Sequence, residues 1–142
     1  MHWFIQIISC ALAAFFVALL LNQPRKTMFF SGLIAGLGYA IFLLLGQTTL
    51  GYFCATLFIG VACEICARLT KKISTLFITS ALIPLVPGVG LYRTMRYLVQ
   101  GEYSMAVSCG TDTLMGICAI ALGITIPSVL FANIRKSERK HA

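Results

Sequence analysis

Charge is what this sequence has least of. Only 11% of its 142 residues are Asp, Glu, Lys or Arg, and just four of these are acidic. A water-soluble domain carries about 25% charged residues because its surface must be solvated, so an ordinary soluble fold is excluded. Histidine is also scarce: His2 and His141 stand at opposite ends, which leaves none at a metal-ligand spacing. No paired carboxylates and no nucleophile beside a base occur. The sequence therefore points away from an enzyme and implies neither a cofactor nor a metal. Proline is rare too, at four residues, yet Pro84 and Pro87 fall in one short stretch.

What is abundant is apolar sequence, at 59% of the chain with a mean hydropathy of +0.93. Long uncharged runs meet the roughly 20 residues that a helix needs to cross a bilayer. The expected fold is all-α: a polytopic membrane helix bundle forming a single integral membrane domain over residues 1–142. About five transmembrane helices are expected, over residues 3–21, 28–45, 50–68, 73–91 and 105–134, with a basic tail at 135–142. The fourth is broken at a Pro-x-x-Pro-Gly motif. A signal peptide has a basic segment before its apolar run, but here only His2 precedes it while Arg25 and Lys26 follow, so the first helix is expected to be retained. Cys10 has no lipoprotein cleavage context for the same reason.

The net charge of +7 does not read as a nucleic-acid surface, because the basic residues fall in short clusters between apolar runs. They read as topology signals. With the N-terminus outside and five crossings, the inner segments hold Arg25, Lys26, Arg68, Lys71, Lys72, Arg135, Lys136, Arg139 and Lys140, and only Arg93 and Arg96 fall outside. That asymmetry predicts a cytoplasmic C-terminus. A four-helix alternative, in which residues 73–103 re-enter from the cytoplasmic side, would carry the basic tail outside, against the same rule.

The chain is organised around residues 80–103. Each proline there removes a backbone donor, so the carbonyls of Ser80 and Ile83 lose their usual helical partners. Hydrocarbon supplies no replacement, and such a break survives at membrane depth only when buried in protein or lining a polar cavity. The stretch is thus either a substrate path or a kink filled by neighbouring helices. Thr75, Thr79 and Ser80 precede it with hydroxyls that either line one side or bond back to their own helix. Beyond it, Tyr92, Tyr97 and Tyr103 suit an interface, and Arg93 and Arg96 suit a carboxylate or a lipid phosphate.

Two acidic residues are possible ion or proton sites, since an ionisable group in a membrane segment has a functional reading by default. Glu64 stands one turn from Arg68, which also allows a snorkelling ion pair at the interface. Asp112 either pairs with Arg93 or Arg96, acts as a proton or cation site, or simply favours a helix start. Cys63-x-x-Cys66 has redox spacing, but a pair facing the reducing cytoplasm inside an apolar helix lacks the setting for a reactive thiolate. Cys10, Cys54, Cys109 and Cys118 read as small hydrophobes. Gly32, Gly36 and Ala40, and later Ala119 and Gly123, form small-residue faces for close packing with an internal or external partner. Pro127 is expected to kink the last span.

Residues 83–92 (IPLVPGVGLY), then Thr94-Met95, Tyr97-Leu98, Gly101, Gly110, Thr113-Leu114 and residues 119–123 (AIALG), resemble the threonine/serine exporter family. More narrowly, the sequence resembles the small membrane subunit of its split form. The likeness is densest over residues 78–125. It implies export of a small polar metabolite across the bacterial inner membrane, threonine or serine, or a dicarboxylate such as succinate in split pairs. It also implies a larger partner subunit of the same family; a homo-oligomer is the other assembly expected for so short a chain. By position in the break, the expected substrate-binding residues are Thr79, Ser80, Pro84, Pro87, Gly88, Gly90, Tyr92, Arg93 and Arg96, working by alternating access. The competing expectation is a scaffold that carries no substrate and steadies a larger membrane protein through its small-residue faces.

Overall fold

The computed structural model describes residues 2–70 and 72–138, with His2, Lys26 and residues 133–138 described for backbone only. Lys71, Arg139 and Lys140 of the basic clusters lie outside the described residues. All regular structure described is helical: α1 His2–Leu20, α2 Arg25–Leu44, α3 Thr49–Thr70, α4 Ser74–Leu82, a 3-10 turn Ile83–Leu85, α5 Gly88–Val99 and α6 Tyr103–Glu138. Four of these helices are long and apolar enough to cross a membrane, or five spans if the bent pair Ser74–Leu85 and Gly88–Val99 is taken as one.

Local chemistry sets the helix ends. In α1, α2 and α5 the chain leaves through a left-handed residue, Asn22 (φ 53°), Gly46 (φ 72°) and Gly101 (φ 78°). The amide that follows each one reaches five residues back: Gln23 to the Ala18 carbonyl, Gln47 to Phe42 and Glu102 to Tyr97, at 3.1, 3.3 and 3.0 Å. This closure satisfies carbonyls that a helix end would otherwise leave bare. Because such turns take few residues, consecutive helices fold back as antiparallel neighbours.

Small residues then decide which helices touch. A Cβ on Gly32 would meet the Ala11 carbonyl at 3.1 Å and one on Gly36 the Ala11 Cβ at 3.3 Å. The Gly32–Gly36 face is thus occupied inside the chain, by α1. Gly38, on another face of α2, abuts Ile59 of α3. Gly116, Gly123 and Pro127 of α6 pack in turn on Tyr52, on Phe53 and Thr56, and on Gly60 of α3. Since both numbers rise together along this interface, α3 and α6 run parallel. α6 continues through Pro127, whose ring is buried against Gly60.

The fourth expected span is two separate helices set at 45°. At 1.5 Å per residue, α4 is about 14 Å long and α5 about 18 Å, so neither crosses the roughly 30 Å of hydrocarbon alone. α4 sits in the bundle, with Phe77 and Ala81 in a core that includes Ile34, Ile59, Cys63 and Ala67. α5 has no buried residue and lies antiparallel on the first half of α6, Gly90 against Thr113 and Thr94 against Gly110.

Candidate functional site

Two prolines acting in succession build the break. Pro84 stands in the first positions of the 3-10 turn, where a missing N–H costs least. The Val86 amide bonds the Ile83 carbonyl at 3.4 Å, so the carbonyl that Pro87 deprives of a helical donor still has one. Pro87 itself, with φ −75° and ψ 60°, forms an inverse γ-turn in which the Gly88 amide donates to the Val86 carbonyl at 2.7 Å. The chain emerges as α5, whose first amides have no helical acceptor and carry the positive end of the helix dipole.

A cavity of about 670 Å³ opens beside this break, within the roughly 300–1,000 Å³ of small-molecule sites. Residues 84–90 of the break line it. One wall is aromatic, from Tyr39, Phe42 and Tyr52, with the Phe42 and Tyr52 rings 4.3 Å apart between centroids. The α2–α3 turn adds Gln47, Thr48 and Thr49, and the facing helices add Arg93 from α5 and Asp112 and Thr113 from α6. The two charges have opposite sign. Among the described residues no ion pair closes within 4.0 Å, so Arg93 and Asp112 line one cavity without direct neutralisation.

Of the residues expected to contact substrate, Pro84, Pro87, Gly88, Gly90 and Arg93 line this cavity, together with Asp112 from the acidic pair. The others lie elsewhere. Thr79 is exposed on α4 and donates back to the Thr75 carbonyl at 2.8 Å. Ser80 is buried, bonded to the Leu76 and Phe77 carbonyls. Tyr92 and Arg96 are exposed on α5 and do not line the cavity, Arg96 standing on the Arg93 side of the helix but one turn farther from the break. Glu64 is half-buried in α3, and its expected ion pair with Arg68 does not form. Arg68 turns to α6 instead, donating to the Phe131 carbonyl at 3.2 Å with its guanidinium 4.6 Å over the Phe131 ring. The parallel packing of α3 on α6 puts that acceptor in reach.

Tyr39, Tyr52, Gln47, Thr48, Thr49 and Thr113 were not anticipated as site residues. The sequence held one signal for them: phenolic groups inside apolar runs are polar and need a reason to be there. Gln47 to Thr49 read only as a short uncharged turn, because its proximity to Pro87 is a tertiary fact.

Four to five helices long and apolar enough to cross a bilayer define a multi-pass membrane protein, here with a cavity of mixed charge beside a broken helix. The family described as Threonine/Serine exporter, ThrE, matches residues 6–130, and the chain belongs to that family. A protein of Haemophilus influenzae, whose given name is "Uncharacterized protein", is 27% identical over 133 residues, a match covering 85% of this chain and 45% of that protein. The chain therefore spans less than half the length of that relative. No solved structure matches it.

Proposed function

We propose that this chain is the small membrane subunit of an exporter for threonine, serine or a related amino acid, working by alternating access with a larger partner. The observation that carries this reading is the unpaired Arg93 and Asp112 in one cavity beside the α5 N-terminus. A zwitterion offers a carboxylate to Arg93 and the helix amides, and an ammonium to Asp112. Each charge-assisted contact is worth about 1.5–3 kcal/mol. A dicarboxylate such as succinate is the second reading: the Arg93 side suits one carboxylate, but Asp112 opposes the other.

Topology supports transport as well. If α3 and α6, which pack in parallel, both cross the bilayer they start on the same side of it, and this supports reading the α4–α5 unit as a broken crossing. With the basic clusters inside, the N-terminus is outside, the C-terminus is cytoplasmic and the cavity opens outward in the bacterial inner membrane. The larger partner rests on the likeness of residues 78–125 to the split form of the family. A scaffold role loses part of its basis, because the Gly32–Gly36 and Gly123 faces are filled within the chain.

The test is export of threonine, serine and succinate from cells lacking their own exporters, with this chain alone, with the larger subunit and with the larger subunit alone. Threonine or serine released only by the pair is the expected result. Succinate alone overturns the zwitterion assignment, and export by the larger subunit alone at the level of the pair establishes the scaffold.

A further inference from the structure

The end of the bundle remote from the cavity carries a polar contact that transport chemistry leaves unused. Gln23 lies in the α1–α2 turn, where a glutamine would ordinarily be solvated, yet it is 3% exposed. Its side-chain amide donates to the Leu76 carbonyl at 2.6 Å and to the Ser80 hydroxyl at 3.3 Å. Its carbonyl oxygen accepts from the Ser31 hydroxyl at 3.4 Å. One side chain in the α1–α2 turn thus ties α2 to α4, and no buried side-chain nitrogen or oxygen among the described residues lacks a partner.

α4 packs on α1, α2 and α3 through apolar contacts at Phe77 and Ala81, and Gln23 adds the side-chain hydrogen bonds that hold it to the α1–α2 turn. Nine residues are too few for a helix to hold itself, and its far end is the break, where Gly88 has open space around it. Gln23 precedes α2 and the cavity-lining turn Gln47–Thr49 follows it, so the two sites stand a helix length apart, about 30 Å. The structure is open at one end and fastened at the other. That is one of the two states alternating access needs.

We propose that Gln23 is the latch that closes the end of the bundle remote from the cavity, and that its release from Leu76 and Ser80 lets α4 swing about the break to open that end. The purpose of the latch rests on the transport reading. Its release has a readout that does not depend on transport, because opening would expose Cys63, which is 0% exposed and packs in one cluster with Phe77 and Ala81 of α4.

The experiment follows N-ethylmaleimide labelling of each native cysteine by peptide mass spectrometry, in purified full-length protein with and without threonine. Gln23→Leu should raise the Cys63 labelling rate about tenfold, the factor for loss of one well-made buried hydrogen-bonded contact. Cys54 and Cys118, already exposed, serve as references and should not change. Ser80→Ala, which leaves the Leu76 contact in place, should give a smaller rise, and it keeps the test open should Gln23→Leu fold poorly. In the wild type, threonine should alter Cys63 labelling, and Gln23→Leu should remove that dependence, an effect a purely structural glutamine would not have. Unchanged Cys63 labelling in both variants overturns the latch, as does a uniform rise at Cys10, Cys63 and Cys109, which would mean general loosening. If Cys63 opens in the variants but threonine has no effect, Gln23 only fastens the fold and the latch is overturned; if the wild type also exports nothing with its partner, the transport reading fails as well.

Discussion

Arg93 and Asp112 are the residues on which the substrate assignment turns, and each predicts a different loss. Arg93→Ala removes a charge-assisted contact and should lower export of threonine about tenfold to a hundredfold at unchanged protein level, measured as release into the medium. Asp112→Asn should lower threonine export while leaving or improving succinate export, because only the ammonium needs the carboxylate. Equal effects on both compounds would assign Asp112 to coupling or to folding. Legibility at this scale was uneven. Arg93 and Arg96, three residues apart on one helix face, looked equivalent in the sequence as cations among aromatics beyond two prolines, yet only Arg93 lines the cavity and Arg96 stands one turn beyond it. Only the register of α5 on α6 separates them.

Within the broken element, Gly88 and Gly90 look alike in sequence and differ in the fold. A Cβ on Gly88 meets nothing within 4 Å, while one on Gly90 runs into the Thr113 hydroxyl and lies 3.1 Å from its Cγ2. Gly90→Ala should therefore destabilise the α5–α6 contact by about 1–3 kcal/mol through overpacking, read as a lower melting temperature in detergent. Adding Thr113→Ala should restore it, since the Thr113 hydroxyl bonds only its own helix, at the Cys109 carbonyl. Gly88→Ala should leave stability unchanged and still reduce export if substrate approaches the backbone there. Normal export by Gly88→Ala would take the backbone of the break out of the substrate path. The break itself was legible, because two prolines three residues apart cannot both sit inside one helix. Its form was not: a span broken at this motif and ending near residue 91 was expected, and the break is a 3-10 turn followed by a γ-turn, after which α5 runs on to Val99.

For the whole molecule, the parallel run of α3 and α6 carries a prediction about sidedness. Cysteines introduced at Gln47 and at Gln100 should react with a membrane-impermeant thiol reagent from the same side, and one at Asn22 from the other. Reaction of Gln47→Cys and Gln100→Cys from opposite sides would mean that residues 74–99 return to the side they left, and the outward cavity would lose its topological basis.

By itself the sequence determined the solvent and the repertoire of elements. Eleven per cent charge with long apolar runs points to membrane helices, and the runs themselves place where the long ones lie. Tertiary structure alone decided which polar groups share a space. Arg93 comes to Asp112 and Tyr52 through glycine contacts on three different helices, and Ser80 goes to Gln23 and not to the cavity through the burial of Phe77 beside it. Periodicity and composition are properties of one segment, whereas a cavity is made by the mutual register of several. That register follows from which small residues let two backbones close, a choice no single segment contains.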